Sequence, residues 1–178
     1  DLEFEMVEWY RPGARLDDLM DDLQALLDKL FDLGGQRTAP QIQRYKVAEL
    51  FHRFVGIELD PSRTAIEFHQ QLAATGLHCA DDDTWDDAFF RAWISRVEPE
   101  LAKLGAVVVE RYPASQAAMA RLCHDDQRFC ARFELYVDGL ELANAFDELT
   151  DGQEQRRRFD SWQQTRRQLG HEPYRADN

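Results

Sequence analysis

Arg132-Phe133-Glu134-Leu135-Tyr136-Val137-Asp138-Gly139-Leu140-Glu141-Leu142-Ala143-Asn144-Ala145-Phe146-Asp147-Glu148-Leu149-Thr150-Asp151 decides how this chain is read. Residues 132 to 146 carry side chains that favour strands, and Asp138-Gly139 is a dipeptide that a tight hairpin turn prefers, so two strands hinged there are expected. Carboxylates and an amide interrupt the apolar pattern, and polar groups in a sheet cost free energy unless they are partnered or used. Glu141 and Glu148 lie seven residues apart, which on a regular strand places them on opposite faces. The strand must bend or end near Phe146 if both are to meet one pocket.

Outward from the hairpin, the elements mix without a regular βαβ alternation. Residues 3 to 10 alternate Phe4, Met6 and Glu8 against Glu5, Val7 and Trp9 and read as a half-buried or buried strand, broken by Pro12-Gly13. Leu16, Leu19, Met20, Leu23, Leu26, Leu27, Leu30 and Phe31 then recur at helical spacing until Gly34-Gly35. A second helical pattern runs from Tyr45 to Val55, and a third lies near Thr64 to Ala74. Thr84 is placed to cap a fourth helix, with Asp87 at the reciprocal position and Trp85, Ala88, Phe89, Ala92, Trp93 and Val97 as its buried face. Ala106 to Tyr112 reads as a strand ended by Pro113, and Gly152 to Leu169 as a charged helix. These elements predict an α+β fold, an antiparallel sheet flanked by helices. No repeat or linker divides the chain, so residues 1–178 are expected to form a single domain.

With 178 residues, 44% hydrophobic and 31% charged, the composition is globular. A net charge of -13 leaves no broad basic surface for a nucleic-acid backbone and suits a cationic ligand instead. Arg156-Arg157-Arg158 reads as a solvated helix face. Cys79, Cys123 and Cys130 form no CxxC pair, which is the usage of reduced thiols in a cytoplasmic protein, and their neighbours His78 and His124 do not make a metal site. No signal peptide or apolar run of membrane-spanning length is present, so no membrane partner is expected. Ser115 lacks a nucleophile context, no glycine-rich phosphate loop follows a strand, and His52 and His69 fall in helical segments.

The quoted stretch resembles class II lysyl-tRNA synthetases and, more closely, the short paralogues that attach lysine or β-lysine to elongation factor P. Glu3-Phe4-Glu5-Met6-Val7-Glu8-Trp9-Tyr10-Arg11-Pro12-Gly13 resembles the strand after motif 2 of the same family, written E-F-T-M-L-E-W-Y-R-P. Pro113-Ala114-Ser115-Gln116 and the threonine of Glu148-Leu149-Thr150-Asp151 are similar to the ligase form rather than the synthetase form. The likeness is strongest over 3 to 13 and 112 to 160 and loose over 36 to 104.

The resemblance implies a class II synthetase-like fold, with ATP and Mg2+ as reactants and a lysine-type substrate activated as an adenylate before transfer to elongation factor P. It implies ATP contacts at Glu141 and Leu142, metal contacts at Glu141 and Glu148, and substrate contacts at Glu8, Tyr10, Asn144 and Glu148. From spacing alone, Glu141 and Glu148 read more readily as solvated hairpin carboxylates, and Tyr10 also as core packing. A lysyl-tRNA synthetase catalytic domain and a non-catalytic paralogue acting as a binding module stay open as alternatives. Asp1 at the start and Tyr174 to Asn178 at the end lead to the expectation that the chain is an incomplete catalytic core. The motif 1 helix and the phosphate-gripping arginines of motifs 2 and 3 are then expected outside it, with a homodimer for the full-length protein and no tRNA partner.

Overall fold

The computed structural model describes residues 3, 5–35, 38–172 and 174. At its centre is β2 (Ala106–Glu110), whose Val107, Val108 and Val109 are fully buried. A strand covered on both faces reads as an unbroken β-branched run rather than an alternation, and this one does. Four strands stand in the order β1-β2-β3-β4, with β1 at Gln43–Lys46, β3 at Arg132–Val137 and β4 at Leu140–Phe146. The β2–β3 and β3–β4 pairs are antiparallel, but β1 runs parallel to β2 with Gln43 opposite Val107. The sheet is therefore mixed rather than wholly antiparallel, because the helices between β1 and β2 provide the long crossover that a parallel pair needs.

Helix α1 (Leu16–Leu33) covers one face, laying Met20, Leu23 and Leu27 on Val108, Phe133 and Leu135. Gln24 fastens it to the approach of β1, accepting from the Ile42 N–H at 2.9 Å and donating to the Pro40 carbonyl at 3.3 Å. On the other face lie α2 (Val47–Leu50), α3 (Ala65–Ala74), α4 (Trp85–Ala92) and α5 (Glu98–Leu101). Their core is an aromatic stack with ring centroids 4.9 Å apart for Phe51 and Phe89 and 4.8 Å for Phe68 and Trp85. Thr84 caps α4 as expected: its N–H meets the Asp87 carboxylate at 2.9 Å while its hydroxyl accepts from the Asp87 N–H. Helices α2 and α4 each widen into one π-wound segment, Phe51–Val55 and Trp93–Val97.

Three segments depart from the expected elements. Residues 5 to 10 form no strand; Met6 is 78% and Val7 82% exposed. Alternation prepares a segment for a sheet, but ladder hydrogen bonds need an edge, and this segment pairs with none of the four strands. Phe4 and residues 175–178 lie outside the described residues. Tyr45 sits in β1 opposite Val109, so the helical pattern begins two residues late, at Val47, because the open edge of β2 captures the backbone before it. Strand β2 stops at Glu110 because Arg111, whose N–H still reaches the Arg132 carbonyl, turns to a φ of 62°, outside the extended region of a strand.

The hairpin turn is as the sequence predicts, with Asp138 at φ 51° and Gly139 at φ 83°, both positive as a type I′ turn requires. Gly139 is needed twice, since an added Cβ would stand 2.9 Å from that of Ala102. Helix α6 (Gly152–Gln168) starts where Asp151 accepts from the Gln153 and Glu154 N–H groups at 2.9 and 3.2 Å. Its buried side chains are Arg158 and Gln163, so the expectation of a solvated arginine run fails at Arg158. Cys79, Cys123 and Cys130 are free thiols, and burial pushes Cys130 up to about 12, which makes it inert. Among the described residues no helix is long and apolar enough to cross a membrane.

Candidate functional site

The register of β4 builds the site. Phe146, Ala145, Asn144 and Ala143 stand opposite Arg132, Phe133, Glu134 and Leu135 in turn, and then Glu141 stands opposite Tyr136. Leu142 is passed over, the extra residue of a β-bulge. Without it Glu141 and Asn144, three apart, would point to opposite faces; with it both face the helical layer. Ala143 and Ala145 take the other face and pack toward α1.

Beneath this pair lies a buried charge. Glu134 is 6% exposed and accepts the Tyr112 hydroxyl at 2.5 Å, the Tyr136 hydroxyl at 2.6 Å and the Arg132 guanidinium. Arg132 also lies 4.7 Å from the Tyr112 ring centroid and 5.7 Å from that of Phe146. A buried carboxylate is tolerated when its lone pairs and charge are met, and here three donors meet them. Burial first, then the charge of Glu134, hold both tyrosine hydroxyls well above their ordinary range. Partial desolvation, and then Glu134, raise the Glu141 carboxyl; Glu98 from α5 adds to this, while Arg132 and the neighbouring Asn144 amide oppose it.

Glu148 belongs to a second corner. Strand β4 ends at Phe146, but the end does not bring Glu148 to Glu141: the chain crosses to residues 119–121, where the Arg121 side chain grips the Glu148 carbonyl at 2.8 Å and the Thr150 hydroxyl at 2.9 Å. Leu149 turns into the core and Glu148 outward. There the Tyr10 hydroxyl donates to Glu8 at 2.6 Å. That bond is the main reason the phenol is raised, and the charge of Glu148 adds least to it; among the described residues no hydrogen bond or ion pair joins Glu148 to Glu8 or Tyr10. The six expected residues thus divide into Glu8, Tyr10 and Glu148 on one side, and Glu141 and Asn144 on the other, with Leu142 as the bulge.

Among the described residues no group of three or more His, Cys, Asp or Glu gathers as a metal cage. Two carboxylates suffice for magnesium when phosphate oxygens and water complete the octahedron. The Pro113-Ala114-Ser115-Gln116 segment forms a 3-10 turn whose Ser115 and Gln116 side chains hold Asp86 of α4 at 2.7 and 3.3 Å, and Arg132 donates to the Gln116 carbonyl at 3.2 Å. Behind that turn a shallow cavity of about 270 Å3 is lined by Pro61, Arg63, Trp85, Ala114, Ser115 and Arg128, none of them an expected contact. The sequence reading missed Tyr112, Arg132, Glu134 and Tyr136. Its available signal was Glu134 itself, a carboxylate set between Phe133 and Leu135 in a strand with no solvent face.

The chain matches the family described as tRNA synthetases class II (D, K and N) over residues 1–175. It is 34% identical over 176 residues to the elongation factor P (R)-β-lysine ligase of Haemophilus ducreyi, covering 98% of this chain and 51% of that protein. It is 37% identical over 171 residues to the ligase of the same name from Pseudoalteromonas translucida, covering 94% of this chain and 50% of the relative. For the Histophilus somni ligase the identity is 35% over 178 residues, 99% of this chain and 52% of the relative. The chain spans about half the length of the curated relatives it matches.

Proposed function

The chain belongs to the class II tRNA synthetases (D, K and N), and on that footing we propose that it is part of an ATP-dependent ligase that activates lysine or β-lysine and transfers it to a lysine side chain of elongation factor P. The observation that carries the site assignment is the bulge at Leu142, which sets Glu141 and Asn144 on one face next to the strand end that leads to Glu148. The names of the relatives support the substrate and the acceptor.

In this reading Glu148, with Glu8 and the Tyr10 hydroxyl, receives the substrate ammonium, since a cation gains most where several carboxylate oxygens converge. Asn144 orients the substrate with an amide that the bulge sets on the same face as Glu141. Leu142 would offer ATP the backbone groups that a bulge leaves unpaired, and Glu141 lies beside it on β4. Of the two glutamates expected at a metal, Glu141 would hold magnesium beside the nucleotide, where the ion would neutralise phosphate charge, while Glu148 stands in the other corner. A substrate carboxylate oxygen attacks the α-phosphorus and the bond to the β-phosphate oxygen breaks, releasing pyrophosphate. The acceptor amine then attacks the acyl carbon, loses a proton and expels AMP, leaving an amide. Positioning supplies most of the first barrier's reduction, and the Arg132–Glu134–Tyr136 network beneath the site keeps that positioning rigid.

The test uses a polypeptide of the relatives' full length. Lysine-dependent ATP–pyrophosphate exchange is expected, as is labelling of elongation factor P, but not tRNA, from radiolabelled lysine. Glu148→Gln loses lysine use by about 2–5 kcal/mol, as truncating one partner of a desolvated charge pair does. Glu141→Gln raises KM for ATP more than for lysine. Efficient charging of tRNA with none on the factor overturns the ligase reading, and unchanged exchange in both variants returns the two glutamates to solvated hairpin residues.

A further inference from the structure

Helix α6 is built unlike the other helices of the fold. In a chain of net charge -13 it carries five arginines against Glu154 and Asp160, a net of +3. It buries no apolar side chain fully; Arg158 faces the body and donates to the Ala118 and Ala120 carbonyls at 2.8 Å each, while Gln163, beside the Arg156–Arg167 line, is covered where the chain returns and its amide exchanges hydrogen bonds with the Tyr174 backbone. A helix this polar gains little from hydrophobic burial and is held by such specific bonds. Its outer face is also left uncompensated. Among the described residues Arg157 and Arg158 are paired with Glu154 and Arg166 is taken up by the Glu172 carbonyl and the Tyr174 ring, but no carboxylate lies within salt-bridge distance of Arg156 or Arg167, although acids outnumber bases 34 to 21 in the chain.

Arg156 and Arg167 are eleven residues apart, so they stand three turns along the axis and within about 20° of each other. Asp160 is the one acid between them, with Gln153 and Gln164 alongside, and Arg157 borders the face. The N-terminal end of this stripe is fixed to the candidate site: α6 begins three residues after Leu149, and Ala120, which Arg158 holds, pairs with Glu148.

We propose that the Arg156–Arg167 face of α6 is the docking surface for an acidic protein, which on the reading above is the acceptor of the aminoacyl group. Charge complementarity argues for the acidity. The low density of the cations, interspersed with Asp160 on a strongly acidic chain, favours scattered carboxylates over the continuous charge of a nucleic acid. The helix is about 26 Å long at 1.5 Å per residue, enough to align a folded domain whose modified side chain reaches the corner of Glu148 and Tyr10.

The experiment uses the full-length protein with Arg156→Glu and Arg167→Glu combined, and elongation factor P as the probe. Both positions are exposed, so the fold is retained, and ATP–pyrophosphate exchange stays at the wild-type rate. KM for the factor is expected to rise about tenfold or more with kcat little changed, and added salt to weaken the wild type far more than the variant. Kd for fluorescently labelled factor, measured without ATP, is expected to rise by the same ratio, and this holds even if exchange is absent and the catalytic reading fails. An unchanged Kd for the factor overturns the docking surface, as does loss of tRNA binding with factor binding intact, which would make the stripe a nucleic-acid face. The neutral pair Arg156→Gln and Arg167→Gln should fall between wild type and double reversal.

Discussion

Residues 3–10 and residues 132–146 carry the same kind of pattern, apolar alternation studded with glutamates, and have opposite fates. The second forms two strands whose Phe133 and Leu135 are at most 2% exposed; the first leaves Met6 and Val7 in solvent. The difference lies in what each can pair with. Strand β3 has β2 on one side and β4, returned by a two-residue turn, on the other. Residues 5–10 meet no strand edge and are tied down only locally, by Tyr10 to Glu8 and by Arg11 to Asp22 at 2.9 Å. Alternation specifies a face, and a neighbouring backbone turns it into a strand.

Hydrogen exchange gives the sharpest break. Amides of Val107 to Val109 and of Leu135 should be protected about a thousandfold or more, while those of Met6 to Trp9 exchange nearly as in an open chain. Protection of residues 6–9 in this chain would erase the distinction; protection appearing only in a polypeptide of the relatives' length would show that the partner edge lies in the added part. In denaturant melts Phe133→Ala should cost about 3–5 kcal/mol and Val7→Ala no more than about 0.5 kcal/mol. Equal losses would mean that the amino-terminal segment is packed after all. Gly139→Ala should cost about 1–3 kcal/mol, from a positive φ and the contact with Ala102 together, and a neutral result would detach the turn from the fate of the hairpin.

The smallest effect concerns pH. Hydrogen bonds from Arg157 and Arg158 lower the Glu154 carboxyl from 4.5 to about 2. A depressed carboxylate contributes stability that is complete above its unfolded value and is lost as pH falls from about 4.5 through about 2. Exchange of the first α6 amides should therefore quicken in that window before the hairpin opens, and α6 and hairpin loosening together would argue against a locally held helix.

Much of the helical layer was legible because its signals are local: Thr84 and Asp87 form a box within four residues, and the leucines of α1 repeat until Gly34-Gly35. The hairpin was legible for the same reason, through Asp138-Gly139. Tyr45 was misread because Tyr-Lys-Val continues a helical period as readily as a strand, and the edge of β2 that decides between them is more than sixty residues away. Within the site, Glu141, Asn144 and Glu148 were visible as polar residues in an apolar context. The Glu134 network was not, since its meaning depends on Tyr112 from another element. Arg158 was hidden inside a run whose two neighbours are exposed.

The bulge at Leu142 stores its information as a count rather than as a side chain. Leu142 is 52% exposed, so exchanging it for another residue should change little, and a scan that replaces residues one at a time would pass over it. Removing the position altogether is a different operation: the pleat regains strict parity, and everything on one side of the gap rotates half a turn relative to the other. Either Glu141 or Asn144 must then look toward α1. A single-residue deletion should thus be disruptive where a point substitution at the same site is nearly silent, and in aligning such chains the gap column at this position carries more meaning than the letter in it.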